Sequence, residues 1–142
     1  MFVVLHSDLI WAKMPPMFNK SQLDAIDELI DSRLMGSGID CVILMNQAGN
    51  TIAEHNIGNT DVDVKAFAAL AAGNFAAVDA MAKLVGESEF ALLFHKGEKV
   101  NVHFSKVNHE MFIITMFNKQ ITLGLVRLKV DEVVNSILEI CN

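Results

Sequence analysis

Apolar residues recur at helical spacing in three parts of the chain. The first part predicts a helix that begins at Ser21, because Ser21 and Asp24 have the spacing of a capping box. The second part, residues 61–85, predicts the longest helix, with Gly86 at its C-terminal cap. The third part, from about Gln120 onward, predicts an amphipathic terminal helix. Its apolar positions are Val126, Val130, Val133, Val134, Ile137 and Cys141.

Short apolar runs between these helices predict five strands. The predicted strands are residues 41–45, 51–55, 89–95, 99–104 and 111–117. In the fourth strand, Val100, Val102 and Phe104 alternate with polar residues and are expected to point inward. Strands joined by short turns pair antiparallel. The order helix, two strands, helix, three strands, helix therefore predicts an α+β domain.

The longest helix separates its residues by size when they are placed at the helical period. One broad side, which we expect to cover the sheet, holds the bulky residues Phe67, Leu70, Phe75, Val78, Met81 and Val85. A second side, which we call the small-residue stripe, consists of Ala66, Ala69, Gly73, Ala76 and Ala80. The charged residues Lys65, Asp79 and Lys83 lie at a narrow edge beside this stripe.

A stripe of small residues lets the backbone of another chain come close. The alanines alone do not require a partner, because alanine is the best helix former. Gly73 favours a partner, because a glycine inside a helix costs roughly 0.5–1 kcal/mol relative to alanine and needs a packing reason. We therefore expect the stripe to contact a second polypeptide, most simply in a twofold homodimer.

Composition and charge narrow the class of protein. The 142 residues suffice for one domain, and a hydrophobic content of 52% predicts a buried core. The formal net charge is −6 and the arginines are Arg33 and Arg127, so nucleic acid is not an expected partner. Residues 66–78 contain Gly73 and Asn74 and fall short of the roughly 20 apolar residues of a membrane span. With Asp8 inside an N-terminal segment that lacks a basic region, we expect a cytoplasmic protein with no membrane insertion.

The sequence offers little catalytic or metal-binding chemistry. It contains no glycine-rich phosphate-binding loop. His95 and His103 could face each other across a hairpin, but the five histidines lack close metal-ligand spacing. Cys41 and Cys141 are expected as reduced residues of a core strand and the last helix. We therefore expect no cofactor, no metal and no catalytic residue.

Several segments resemble a known family in their order and spacing. They are residues 39–49 (IDCVILMNQAG), 70–77 (LAAGNFAA), 82–87 (AKLVGE), Phe90 and 94–98 (FHKGE). On these segments, residues 39–138 resemble the Roadblock/dynein light chain family, and within it the bacterial MglB branch. The resemblance implies a Roadblock/profilin-like fold, and we expect a single such domain over residues 19–142. Residues 1–18 fall outside the resemblance and are expected to be an N-terminal appendage of unknown role. The resemblance also implies a five-stranded antiparallel sheet with the long helix on one face and the terminal helices on the other.

The resemblance further implies a homodimer whose long helices lie side by side and whose sheets join edge to edge. Proteins similar to MglB bind a Ras-like small GTPase of the MglA type and stimulate GTP hydrolysis by positioning the GTPase's own residues, without donating an arginine. The partner-facing positions implied for this chain are Ala69 and Gly73 first, then Ala72, Ala76 and Lys65, with Ala66 and Ala80 on the same stripe. The stripe has two possible occupants, the second subunit and the GTPase.

Two other functions remain open from the sequence. One is a scaffold or adaptor of the same fold that joins larger assemblies. The other is a small-ligand sensor, because a five-stranded sheet with flanking helices can enclose a pocket, as PAS-like domains do. Against a sensor, the strands are rich in bulky apolar residues and carry no evident polar cluster to orient a ligand.

Overall fold

The computed structural model describes residues 18–57, 62–90 and 93–141. In chain order, the elements are α1 (Lys20–Arg33), β1 (Ile39–Asn46), β2 (Thr51–Asn56), α2 (Val64–Leu84), β3 (Leu93–Lys96), β4 (Asn101–Lys106), β5 (Met111–Phe117) and α3 (Leu123–Cys141). The predicted order of helices and strands is therefore confirmed. Of the predicted N-terminal appendage, residues 1–17 lie outside the described residues, and Phe18 is buried in the core.

The five strands form one antiparallel sheet with the order β2-β1-β5-β4-β3. The central strand β5 pairs with β1 on one side and with β4 on the other. All seven residues of β5 are buried, because helices cover both faces of the sheet. Among the strands that the structure describes, β2 and β3 lie at the two edges of the sheet.

Alternation along the strands divides the core between the two faces. Along β1, Val42 and Leu44 pack on the face that carries α1 and α3, whereas Cys41, Ile43 and Met45 pack on the face that carries α2. The helices α1 and α3 contribute Ile26, Ile30, Val126, Val130, Val133 and Ile137 to the first face. The four residues from α3 are the apolar positions predicted from helical spacing, with Val134 and Cys141 at the margin.

The first helix begins earlier than predicted. Asn19, and not Ser21, is the N-cap: its side chain accepts a hydrogen bond from the Gln22 N–H at 2.8 Å. The Gln22 side chain accepts one from the Asn19 N–H at 2.9 Å, which completes a capping box. The capping box predicted from Ser21 and Asp24 is therefore wrong, because the asparagine two residues upstream satisfies the same helix N–H groups.

The hairpin of β3 and β4 also lies later in the chain than predicted. Glu89 and Phe90 are outside the strand, and Glu89 instead reaches Lys106 on β4. The Gly97 N–H donates to the Val100 carbonyl at 3.1 Å, so Val100 belongs to the turn and is exposed. The prediction that Val100 points inward is wrong, because the turn takes up residues 97–100 and β4 begins only at Asn101.

Candidate functional site

The inner side of α2 approaches the sheet through small residues and one aromatic ring. Ala68, Ala71, Ala82 and Phe75 are the buried residues of the helix. The Phe75 ring stacks on Phe112 with a centroid separation of 3.8 Å. It also meets Phe104 edge to face at 5.6 Å. Alanines on either side of Phe75 let the helix backbone come close to the strands while the ring fills the space between them.

Three of the six residues on the bulky side of α2 do not cover the sheet, contrary to the prediction. Phe75 is buried, and Phe67 and Val78 are half-buried. Leu70, Met81 and Val85 are exposed by 76%, 51% and 68%. The helix is rotated relative to the predicted orientation because its alanines, and not its larger residues, make the closest approach.

The small-residue stripe faces outward. Ala66, Ala69, Gly73, Ala76 and Ala80 are all exposed, as is Lys65 at the edge of the stripe. Ala72 differs from the other predicted partner-binding residues: it is half-buried and packs against the core on the α2 face. Together with the exposed Leu70, Met81 and Leu84, the stripe forms a broad apolar surface on the outside of the domain, which we call the outer face of α2.

No contact within the described part of the chain explains why residue 73 is a glycine. A Cβ built on Gly73 would meet no heavy atom within 4 Å, apart from its own helix backbone and chain neighbours. A glycine inside a helix costs roughly 0.5–1 kcal/mol relative to alanine. No described contact within this chain offsets that cost.

A turn of the sheet supports α2 beside the stripe. Gly49, in the turn between β1 and β2, has φ +92°, a conformation that L side chains rarely adopt. A Cβ at Gly49 would lie 3.4 Å from the Cα of Ala69 and 3.7 Å from the Ala68 carbonyl oxygen. The turn therefore packs directly against the helix backbone at the first of the predicted partner-binding residues.

An apolar groove lies between α2 and the edge of the sheet. It is lined by Phe67, Leu70, Ala71, Asn74, His95, Val102 and Phe104. His95, on the edge strand β3, packs edge to face on Phe104 with ring centroids 5.3 Å apart. The groove is continuous with the outer face of α2 through Leu70.

The C-terminal half of α2 is held to β4 by charged groups. Lys106 Nζ donates to both carboxylate oxygens of Asp79, at 3.0 and 3.1 Å, and lies 3.3 Å from Glu89. Burial opposes the charge of Lys106, but the hydrogen bonds and negative charges of Asp79 and Glu89 outweigh it and raise the Lys106 pKa. The negative charge of Asp79 is thus compensated by Lys106. The other charged residues of α2 are Lys65 and Lys83.

The opposite face of the sheet carries a buried polar pair. His103 and Thr115 are cross-strand neighbours, and His103 Nδ1 and Thr115 Oγ1 have no hydrogen-bond partner in the described structure. Burial lowers the pKa of His103, and the charge of Arg127 lowers it further against the opposing effect of Asp131. His95 pairs with Val102 and lies on the α2 face, so the expectation that His95 and His103 face each other is wrong.

The remaining candidate residues lie apart from the outer face of α2. Arg33 ends α1, and Arg127 lies on α3, where it lines a cavity with Val78 and Asp79 of α2. Cys41 is buried in β1, and burial, with the charges of Glu54 and Asp40, raises its pKa to about 11. Cys141 is also a free thiol, at the end of α3. Among the described residues, no group of three or more histidine, cysteine or acidic side chains could hold a metal ion.

Some residues of this surface were not indicated by the sequence. Leu70 and Met81 share the predicted bulky side with Phe75, so periodicity alone places them inside, and Leu84 belongs to neither of the two predicted sides. His95 and Lys106 lie near α2 only because β3 pairs with β4 and α2 packs beside these strands.

By length and composition alone α2 could cross a membrane, and it is the one described helix that could. Residues 66–78 were expected to fall short of a membrane span; the whole of α2 passes this test, as core helices of other proteins do, and Phe75 packs it on the sheet.

Proteins of known structure have the same fold as this chain, and a family model matches its sequence. Chains of similar structure include an MglB with a tetrameric arrangement (TM-score 0.80, 22% identity, covering 87% of this chain and 93% of that one). They also include the gliding protein MglB of Thermus thermophilus (0.79, 23%, 87% and 93%) and Myxococcus xanthus MglB (0.73, 28%, 87% and 97%). No curated protein sequence matches. The Roadblock/LC7 domain model matches residues 25–117, more than half of the chain. This protein is therefore a member of the Roadblock/LC7 domain family.

Proposed function

We propose that this protein is a homodimeric regulator of a Ras-like small GTPase of the MglA type, without an active site of its own and acting in the cytoplasm. The observation that carries the proposal is the outer face of α2. Ala69 and Gly73 are exposed one turn apart, and nothing in the described chain occupies the space above Gly73. A helix that presents a wide apolar surface to water is typical of an interface.

We propose that the outer face of α2 serves two occupants. Leu70 and the apolar groove beside it lie toward the sheet edge at β3, where a second copy could pair both helix and strand. The small-residue stripe lies farther around the helix. We propose that Ala69, Gly73, Ala76 and Lys65 contact the GTPase, that Ala66 and Ala80 extend the same surface, and that Ala72 contributes only through its exposed edge.

The proposed regulator stimulates GTP hydrolysis by holding the GTPase's own catalytic groups in position. An activator that donates an arginine needs that side chain on the docking surface. Arg33 and Arg127 belong to α1 and α3 and are not part of the outer face of α2. Their placement supports positioning, and not charge donation, as the means of activation.

The test is single-turnover GTP hydrolysis by the cognate GTPase with and without this protein. We expect the protein to raise the rate and Gly73→Arg to abolish the increase, because the side chain would enter the docking surface. Gly124→Arg is the matched control: Gly124 is also a helical glycine with open space around its Cβ, but on α3. An unchanged rate with the native protein would reject activation. Retained binding in that case would favour the scaffold function.

A further inference from the structure

A partly enclosed cavity of about 160 Å³ lies where α2, β4 and α3 come together, and we call it the charged cavity. Side chains of both charges line it. They are Asp79 on α2, Glu89 before β3, Lys106 on β4, and Arg127 and Asp131 on α3. These residues lie far apart along the chain, so their spacing in the sequence does not reveal the cluster that folding assembles.

The wall of the charged cavity includes a buried polar side chain. His103 is only 5% exposed and lines the cavity, and its Nδ1 has no hydrogen-bond partner in the described structure. Burial lowers the pKa of His103, so the ring is uncharged at neutral pH. Buried polar side chains are normally hydrogen-bonded, so one that is not needs an explanation. A polar molecule bound in the cavity offers one.

The charged residues of the cavity differ in whether they are paired. Lys106 is paired with two of the three carboxylates. Arg127 and Asp131 make no ion pair with each other or with any other described side chain. They lie four residues apart on the same side of α3, and both charges act on His103, with opposite effects on its pKa. The cavity therefore presents an unpaired guanidinium and an unpaired carboxylate beside one imidazole ring.

A small zwitterion is the class of molecule that this lining fits. A simple anion would meet the carboxylates of Glu89 and Asp131, and a simple cation would meet Lys106 and Arg127. A molecule with both charges can place its carboxylate on the guanidinium of Arg127, which binds carboxylates through two parallel hydrogen bonds, and its ammonium group on Asp131. The volume limits the ligand to a few atoms, because an apolar cavity of about 150 Å³ holds benzene.

We propose that the charged cavity binds a small free amino acid, with its carboxylate on Arg127 and its ammonium group on Asp131. The polar wall and the small volume favour a short side chain, such as that of alanine or serine. The inference goes beyond the proposed function and does not depend on it, because neither Arg127 nor Asp131 belongs to the outer face of α2.

The experiment is isothermal titration calorimetry of the full chain with L-alanine and L-serine, compared with propionate and ethylamine. Propionate lacks the ammonium group of alanine, and ethylamine lacks its carboxylate. We expect the amino acids to bind at least about 10-fold more tightly than either analogue, which is the loss typical of one hydrogen bond to a charged group.

Two variants each remove one proposed contact. Arg127→Ala and Asp131→Asn should both weaken binding of the amino acids by about 10-fold or more. Both side chains are exposed, so we expect the variants to fold. Arg33→Ala and Asp24→Asn are the matched controls, because they change exposed residues of α1 outside the cavity. They should bind the amino acids as the native chain does.

Nuclear magnetic resonance of the histidine rings locates the ligand independently. The ring nitrogen signals of His103 should shift when L-serine is added, because the ring lines the cavity. The signals of His109, which is exposed in the turn between β4 and β5, should stay in place.

The remaining outcomes overturn the inference. If neither amino acid binds, the cavity takes up only water and the proposal is wrong. Equal affinity for the amino acids and for either analogue contradicts the zwitterionic class. Binding that survives in both Arg127→Ala and Asp131→Asn, or that leaves the His103 signals unchanged, places the ligand elsewhere. None of these measurements involves the GTPase, so their failure leaves the proposed function intact.

Discussion

At the scale of single residues, Gly73 is the most informative position of the chain. Its spacing on the helix with Ala66, Ala69, Ala76 and Ala80 predicted a surface of close approach, and the structure places it exposed with open space at its Cβ. Gly49 is different, because its positive φ and its contact with Ala69 explain it within the chain. The cost of Gly73 has no such explanation in the single chain.

Replacing Gly73 with alanine should therefore change stability and binding in opposite directions. Gly73→Ala is expected to raise the free energy of unfolding by roughly 0.5–1 kcal/mol, because alanine restricts the unfolded chain and favours the helix. The same methyl group should weaken binding of the GTPase. Denaturant unfolding and a binding titration measure the two effects.

Gly124→Ala on α3 is the matched control for this experiment. Its Cβ would also meet open space, so it should stabilise the chain without affecting binding. If Gly73→Ala binds the GTPase as tightly as the native chain, Gly73 is not at the docking surface.

His103 makes stability depend on pH. Its pKa is lowered in the folded chain by burial and by Arg127, so in acid the unfolded chain binds more protons than the folded chain. The free energy of unfolding should therefore fall as pH drops below about 6.5, by up to about 1.4 kcal/mol per pH unit until the folded chain also takes up the proton. Urea unfolding between pH 7.5 and 5 measures this slope.

His103→Gln should flatten the slope, whereas His109→Gln, at an exposed position, should leave it as in the native chain. Equal slopes in the native chain and His103→Gln would show that another group controls acid stability.

At the scale of elements, the strands were easier to predict than the faces of the helices. In β5 a continuous apolar run is buried on both sides, so its residues needed no assignment to a face. In α2 the assignment mattered, and it failed for Leu70 and Met81. Helical periodicity sorts residues into sides but does not say which side packs inward when alanines can approach more closely than leucines.

The limits of β3 and β4 were missed for a related reason. The turn that exposes Val100 is set by hydrogen bonds from Gly97 to the Val100 carbonyl and the Asn101 side chain. The placement of Glu89 depends on Lys106, 17 residues later in the chain. Contacts between distant residues of this kind leave no periodic signal in the sequence.

The contact of Lys106 with α2 should contribute modestly to stability. Lys106→Met is expected to cost less than about 1 kcal/mol, because the three charged side chains are partly exposed. Amide hydrogen exchange should become faster mainly at the C-terminal end of α2, around Asp79. Asp79→Asn combined with Lys106→Met should cost less than the sum of the single changes, and strictly additive costs would contradict a coupled pair.

At the scale of the whole molecule, the two faces of the sheet have different roles. The face covered by α1 and α3 holds the larger part of the core, with His103 and Thr115 as its buried polar groups. The face covered by α2 leaves that helix apolar on its outer side. The family and the element order were accessible from the sequence because they depend on local spacing. Which residues a second chain covers depends on a contact that one chain does not contain.

The central claim is that the outer face of α2 is covered by a second polypeptide. Light scattering of the native chain, Leu70→Glu and the control Leu128→Glu tests it most directly, because Leu70 and Leu128 are both exposed, on α2 and α3 respectively. We expect the native chain and Leu128→Glu to have twice the mass of the 15.6 kDa chain and Leu70→Glu to have the mass of one chain. A native chain that stays monomeric at all concentrations, or a Leu70→Glu variant that remains fully dimeric, would contradict the account.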